Sequence, residues 1–273
     1  MDLELKDVHV LVTGASGGIG LETARLFLKQ GAKVTAHYNT NATSVNSLIS
    51  EFGEGTVIAA QANLSVEADV VRLFASSNAL GPVQVAIINH GVWPTADEPV
   101  ATMSLERWRA TFDSNTTSSF LVAREFLRQL EPASDAAKAK ASILFVGSTA
   151  GKYGEAGHAD YAASKSALMY GLTLSLKNEI VKIAPRGRVN SVGPGWVNTP
   201  MAEETLKDPV VVYRALATTP LKKVAEPWDI AAQIVVLSSP SLSGHVTGQV
   251  VMVEGGMEGR LLNRNTDQGL EAY

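Results

Sequence analysis

In the segment Gly157-His158-Ala159-Asp160-Tyr161-Ala162-Ala163-Ser164-Lys165, a tyrosine and a lysine stand four residues apart. That spacing is one turn and one face of a helix, so the two tips can share a site. A free phenol, with a pKa of ~10, is too weak an acid to shuttle protons near neutrality. Lowering it by ~3 units needs roughly 4 kcal/mol of stabilisation of the phenolate, part of which a neighbouring ammonium supplies. Upstream, Phe145-Val146-Gly147-Ser148 offers a hydroxyl that can donate to a carbonyl oxygen as charge develops there. The same Tyr-x-x-x-Lys spacing also describes an ordinary amphipathic helix with a snorkelling lysine, so the surrounding elements must decide.

Those elements alternate. Short apolar, β-branched runs at residues 8–12, 34–37, 57–60, 85–89, 143–146, 188–192 and 249–253 read as seven buried strands. Between them, residues 19–30, 43–52, 67–76, 105–129, 161–183 and 227–237 carry helical spacing. The pattern predicts a single α/β domain: a doubly wound, seven-stranded parallel sheet, Rossmann-like, with helices on both faces and ligands bound beyond the carboxyl ends of the strands. Ser148 falls at that edge. Residues 131–140 read as an exposed surface loop, residues 195–227 as a mobile substrate flap with Leu206, Tyr213 and Leu216 at loose helical spacing, and residues 257–273 as a polar tail.

The first strand runs into Thr13-Gly14-Ala15-Ser16-Gly17-Gly18-Ile19-Gly20 and then a helix. Glycines there allow a tight turn and close approach of a pyrophosphate to the free N–H groups of the helix start, which makes this a dinucleotide cradle. An acid ~20 residues on would bind the ribose of NAD and repel a 2′-phosphate. Here the second strand ends His37-Tyr38-Asn39-Thr40-Asn41, without that acid and without a Lys or Arg. Neutral donors remain, from Ser16, Tyr38, Asn39 and Ser44, and the balance favours NADP(H) over NAD(H). His37 reads either as a partly exposed strand-end residue or as a cofactor ligand.

From Lys6 to Gly256 the chain resembles the single-domain short-chain dehydrogenase/reductase family. Its Thr-Gly-x-x-x-Gly-x-Gly motif is matched at Thr13 to Gly20, its Tyr-x-x-x-Lys at Tyr161 and Lys165, and its serine at Ser148. The resemblance implies a fourth catalytic residue, Asn115, holding a water that links Lys165 to solvent. It also implies cofactor contacts from Gly14, Ser16, Gly18, Ile19, Gly20, Tyr38, Asn39, Asn63, Leu64, Asn89, Gly91, Tyr161, Lys165, Pro194, Gly195, Val197 and Thr199. The family's Asn-Asn-Ala-Gly stands here as Ile88-Asn89-His90-Gly91, so His90 departs from the pattern, either filling the loop or reaching towards the nicotinamide. The implied reaction is hydride transfer between a nicotinamide and a carbonyl or alcohol carbon, with Tyr161 moving the hydroxyl proton.

Composition narrows the partners. A net charge of −4 without a basic run argues against nucleic acid, and no stretch is apolar enough to span a membrane. With no Cys and no His/Asp/Glu cluster at ligand spacing, no metal is expected, and the acidic start, too short in apolar run for a signal peptide, leads to a cytoplasmic reading. Val92, Trp93, Tyr153, Trp196, Met201 and the 206–216 flap are expected to rim the site, favouring a lipophilic or ring-bearing ketone. Small residues Ser118, Ser119, Ala123, Ala167 and Gly171 on the two long helices, which build interfaces in the family, point to a homodimer or homotetramer, with internal packing as the competing reading. An NAD-dependent alcohol dehydrogenase and a noncatalytic dinucleotide sensor remain as alternatives, with a dehydratase or epimerase more distant.

Overall fold

In the computed structural model, which describes residues 2–259, the chain runs through β1 (His9–Val12), α1 (Gly18–Lys29), β2 (Lys33–Tyr38), α2 (Thr43–Phe52), β3 (Val57–Gln61) and α3 (Glu67–Ser77). It continues through β4 (Val85–Ile88), α4 (Leu105–Phe112), α5 (Ser118–Leu130), α6 (Asp135–Lys138), β5 (Ser142–Val146), α7 (Thr149–Tyr153) and α8 (Ala159–Ser166). Then follow α9 (Thr173–Ile183), β6 (Arg188–Pro194), α10 (Pro209–Leu216), α11 (Pro227–Ser238), α12 (Pro240–Ser243) and β7 (Val250–Val253). The strands form one parallel sheet of seven in the order β3-β2-β1-β4-β5-β6-β7, as expected.

Because successive side chains of a strand point to opposite faces, each strand feeds two cores. Val10 and Val12 of β1, Val85 and Ile87 of β4, and Leu144 and Val146 of β5 pack with Phe27 of α1, Leu48 of α2 and Ile234 of α11. Leu11, Ala86, Ile88, Ile143 and Phe145 pack on the other face with Phe74 of α3, Phe126 of α5 and Ile180 of α9. Both faces are therefore covered, which is what allows these strands to be almost continuously apolar.

The helices expected over 105–129 and 161–183 are each interrupted by a π-turn, Asp113–Thr117 and Ala167–Leu172. Side-chain hydroxyls sit on the carbonyls at these places: Ser118 Oγ donates to Ser114 O at 2.7 Å, Ser119 Oγ to Asn115 O at 2.6 Å, and Thr173 Oγ1 to Leu168 O at 2.8 Å. Such bonds compete with the backbone ladder and loosen the turn.

Three expectations change. The loop expected over 131–140 contains α6, capped by Ser134, whose side chain accepts the Ala137 N–H, with Ala137 buried. Within the flap, Tyr213 and Leu216 do lie on a helix, α10, capped by Asp208, whereas Leu206 belongs to the short 3-10 turn Thr205–Lys207. The expected polar tail starts at a buried Met257. From residue 260 onward it lies outside the described residues.

Candidate active site

The switch in strand order between β1 and β4 opens a crevice at the carboxyl edge of the sheet. Around it Thr13 ties the two strands together: its N–H and Oγ1 donate to Ile87 O at 2.9 and 3.1 Å, and Asn89 N–H donates to Thr13 Oγ1 at 2.9 Å. Asn89 Nδ2 reaches the carbonyls of Thr13 and Gly14 at 3.0 and 3.2 Å. Gly14 has φ +65°, and a Cβ at Gly20 would lie 2.2 Å from Gly14 O, so neither tolerates a side chain. α1 then begins without a side-chain cap or an acid in its first turn, leaving its positive end open to an anion.

A cleft of about 500 Å³ lies over this turn. Gly14, Ser16, Gly18, Ile19, Gly20, Asn39, Asn63, Leu64, Asn89, Gly91, Ser148, Tyr161, Lys165, Pro194, Gly195, Val197 and Thr199 all line it. Residues from seven separate stretches of sequence therefore converge on one volume. Three of the residues predicted for cofactor or catalysis do not line it. Tyr38 packs against the core on the α1 side, and Asn115 is buried beside the cleft. Ser44 also lies outside.

His37 is neither partly exposed nor pointing at solvent: it is 2% exposed, with Nδ1 accepting the Gly14 N–H at 3.0 Å and Nε2 donating to Ala62 O at 3.0 Å. Burial lowers its pKa, in keeping with a neutral ring that accepts at Nδ1. His90 fills the loop and also lines the cleft, its ring nitrogens 2.8 Å from Thr13 Oγ1 and from Ser118 Oγ. Burial, helped by the nearby Lys165 ammonium, pushes its pKa well down.

Tyr161 and Lys165 both stand on α8, with the Lys165 Nζ 5.8 Å from the Tyr161 ring centre. The ammonium is 4% exposed and donates to Val146 O at 2.9 Å, and burial lowers its pKa to about 8. Gly91 makes room for it, since a Cβ there would be 3.2 Å from Nζ. Ser148 accepts the Ala150 N–H at 3.1 Å as the N-cap of α7, an arrangement that leaves the hydroxyl hydrogen to donate elsewhere.

Asn115 sits in the π-turn, with Oδ1 accepting the Val92 N–H at 2.7 Å and Nδ2 donating to Val92 O and Ser164 Oγ, both at 3.0 Å. Both amide hydrogens are thus engaged inside the protein, clamping the loop after β4 to α8. A second clamp lies one residue before the tyrosine. Asp160, fully buried, takes Arg107 Nε at 3.1 Å and Thr111 Oγ1 at 2.7 Å. Burial acts to raise the Asp160 pKa, but hydrogen bonds from Thr111, Arg107 and the Tyr161 N–H outweigh it and hold the carboxyl below its usual range.

At the substrate end, Val92, Trp93, Trp196 and Met201 line the cleft as expected. Trp93 stacks on His158 at 5.0 Å and meets Trp196 edge-on at 6.1 Å. Tyr153 is not on the rim, because its hydroxyl donates to Met257 O at 2.6 Å, and the flap contributes residues 199–202 in place of 206–216. Sequence reasoning passed over Glu155 and Thr149, which also line the cleft, although both lie between the serine and the tyrosine already singled out.

The profile of the short chain dehydrogenase family matches residues 8–209. The chain is a short-chain dehydrogenase/reductase. This short-chain dehydrogenase/reductase is 33% identical to a 3-oxoacyl-[acyl-carrier-protein] reductase of Vibrio cholerae over 93% of its own length and 99% of the relative's. It is 32% identical to a protein of the same description from Synechocystis, covering 90% and 95% of the two chains. A crystal structure of a short-chain dehydrogenase/reductase of Brucella melitensis, described as a glucose/ribitol dehydrogenase, superposes with a TM-score of 0.82 at 29% identity, covering 94% and 99% of the chains. The protein is therefore an oxidoreductase of a family that uses a nicotinamide dinucleotide and acts on a small molecule. No helix among the described residues is long and apolar enough to cross a membrane, and the described residues hold no His/Cys/Asp/Glu cluster able to bind a metal.

Proposed function

We propose that this enzyme reduces a lipophilic or ring-bearing ketone with NADP(H). The observation that carries the reading is the convergence of Ser148, Tyr161 and Lys165 on the same cleft as the Gly14–Gly20 cradle. When bound, the reduced nicotinamide supplies the hydride. The Tyr161 hydroxyl protonates the ketone oxygen, and the Ser148 hydroxyl donates a hydrogen bond to that oxygen as negative charge builds on it. Lys165 lowers the cost of the resulting phenolate by placing a buried ammonium beside it. Asn115 acts by position, holding Val92 and Ser164 so that α8 and the loop after β4 keep their register.

The cradle, Asn63, Leu64, Asn89, Gly91 and the 194–199 segment hold the dinucleotide in this reading. Preference for NADP(H) is supported by the β2 end of the cleft, where Ser16, His37 and Asn39 line the wall and the lining carboxylate, Glu155, belongs to the segment before Tyr161. Trp93 and Trp196 favour a flat or greasy substrate, and the 3-oxoacyl reductases among the relatives make a 3-oxo group the first chemistry to try.

A homo-oligomer is part of the same proposal. Ser118, Ser119 and Ala123 are buried within the subunit, so their small size serves internal packing, but Phe120, Tyr170, Leu174 and Val181 remain exposed on the two long helices and suit a self-complementary face.

The test is consumption of NADPH and, separately, NADH with a panel of ketones, quinones and 3-oxo esters, set beside the Tyr161→Phe variant. Turnover with NADPH that vanishes in a variant still able to bind the nucleotide supports the reading. Nucleotide binding by both proteins with no carbonyl turned over by either would sink it.

A further inference from the structure

Behind Trp196 lies a second cavity, of about 220 Å³, walled by Ala215 and Leu216 of α10, Leu221, Val253 of β7 and Met257. It is half open to solvent, where Leu221 is 65% exposed. It shares a wall with the reaction cleft, since Trp196 lines both.

The backbone around that wall is fixed. Gly195 N–H donates to Val253 O at 3.1 Å, Ala225 N–H donates to Trp196 O at 2.9 Å, and Asn198 N–H donates to Ala225 O at 2.8 Å. Any opening between the two spaces is therefore a rotation of the indole alone, away from its edge contact with Trp93.

Of the polar side chains on the wall, Thr219, Lys223 and Asp229 are engaged, and Gln233 and Glu254 also line it. Lys223 and Asp229 are paired at 2.9 Å, Asp229 also accepts the Glu226 N–H at 2.9 Å, and Thr219 Oγ1 donates to Ala215 O at 3.0 Å. An occupant made of carbon thus finds carbon to pack on and breaks no bond of these groups.

We propose that this cavity is a subsite for the unbranched apolar tail of the ketone, admitted when the Trp196 indole turns aside. The proposal rests on the ketoreductase reading for the reacting end of the substrate. At about 30 Å³ per heavy atom, the cavity takes a segment of about seven carbons.

The test uses the full chain with its nucleotide and two series of ligands. With straight-chain 3-oxo methyl esters of increasing length, kcat/KM rises about fourfold per methylene that enters the cavity and then levels off. Ala215→Phe fills the cavity and flattens that rise, while the shortest ester is turned over as before. Leu216→Ala enlarges the cavity and moves the plateau to longer chains, which keeps the proposal open to test if the phenylalanine variant fails to fold.

A parallel series of 1-alkanols, followed by calorimetry on the nucleotide-loaded protein, reads the cavity without turnover. Alkanol affinity that climbs with length and flattens in Ala215→Phe, with no ester reduced, would leave the subsite standing and overturn the reaction. Equal slopes in the native protein and both variants, for either series, would overturn the subsite.

Discussion

The Nδ1 of His37, at the end of β2, accepts the backbone N–H of Gly14 at 3.0 Å, so the glycine turn proposed to cradle the dinucleotide is held by an uncharged imidazole. His37, His90 and His9 are all buried, and burial is the leading cause that depresses each below its ordinary 6.5. The unfolded chain therefore takes up protons below pH 6.5 that the folded one resists, and stability, complete above 6.5, falls as the pH drops towards the depressed values. Thermal unfolding at pH 5 should show a lower Tm than at pH 8. His37→Phe should flatten part of that slope and, by stranding the Gly14 N–H, cost about 1–3 kcal/mol at neutral pH.

Gly20→Ala puts a Cβ 2.2 Å from Gly14 O, against backbone that cannot step aside, whereas Gly17→Ala makes only an ordinary contact at 3.5 Å. Titration with NADPH should show binding lost, or the fold weakened, in the first variant and far smaller change in the second.

Lys165 is the costly member of the site. A buried ammonium with its pKa depressed from 10.5 to about 8 destabilises the fold by roughly 3 kcal/mol below pH 8, and the penalty disappears as the pH rises towards 10.5. Lys165→Met should raise Tm at pH 7, less the roughly 1–2 kcal/mol for a Val146 carbonyl left without its donor, and the gain should shrink by pH 10. Ketone reduction in the same variant should fall by about 10²–10⁴.

In the native enzyme, reductive kcat/KM should decline as the pH rises through about 8, where the ammonium gives up its proton. A profile flat from pH 7 to 9.5 would show that Lys165 stays charged with nucleotide bound, or that its charge is not used.

Arg107→Met removes the cation that faces the fully buried Asp160. Breaking such a pair from one side costs about 3–5 kcal/mol, at the lower end here because Thr111 and the Tyr161 N–H still hold the carboxylate. Chemical denaturation measures that loss directly. Arg107 Nη1 also donates to Ala96 O at 2.7 Å, so KM for bulky ketones should rise as the Trp93 loop loosens.

All seven strands were legible in the sequence because a parallel sheet covered on both faces leaves long β-branched runs, and the Tyr161–Lys165 pair was legible because a helical turn is local. The π-turn at 113–117 was not, since the hydroxyls of Ser118 and Ser119 read as small packing residues and nothing local says which carbonyl they will take. His37 looked exposed because it ends a strand, but its cover comes from Gly14 and Ala62, 23 and 25 residues away. Tyr153 looked like a rim residue for the same reason: its partner, the Met257 carbonyl, is 104 residues downstream.

Threading β4 next to β1 has a consequence for how this molecule is made. Thr13 and the glycine turn leave the ribosome early, but the groups that lock them, Asn89 and His90, follow 76 and 77 residues later. A nascent chain ending at β3 has the first half of a mononucleotide fold and no finished cradle. Contacts of such sequence separation are slow to close, so Asn89→Ala should delay refolding as well as weaken nucleotide binding, and added NADPH should rescue yield only once β4 is in place.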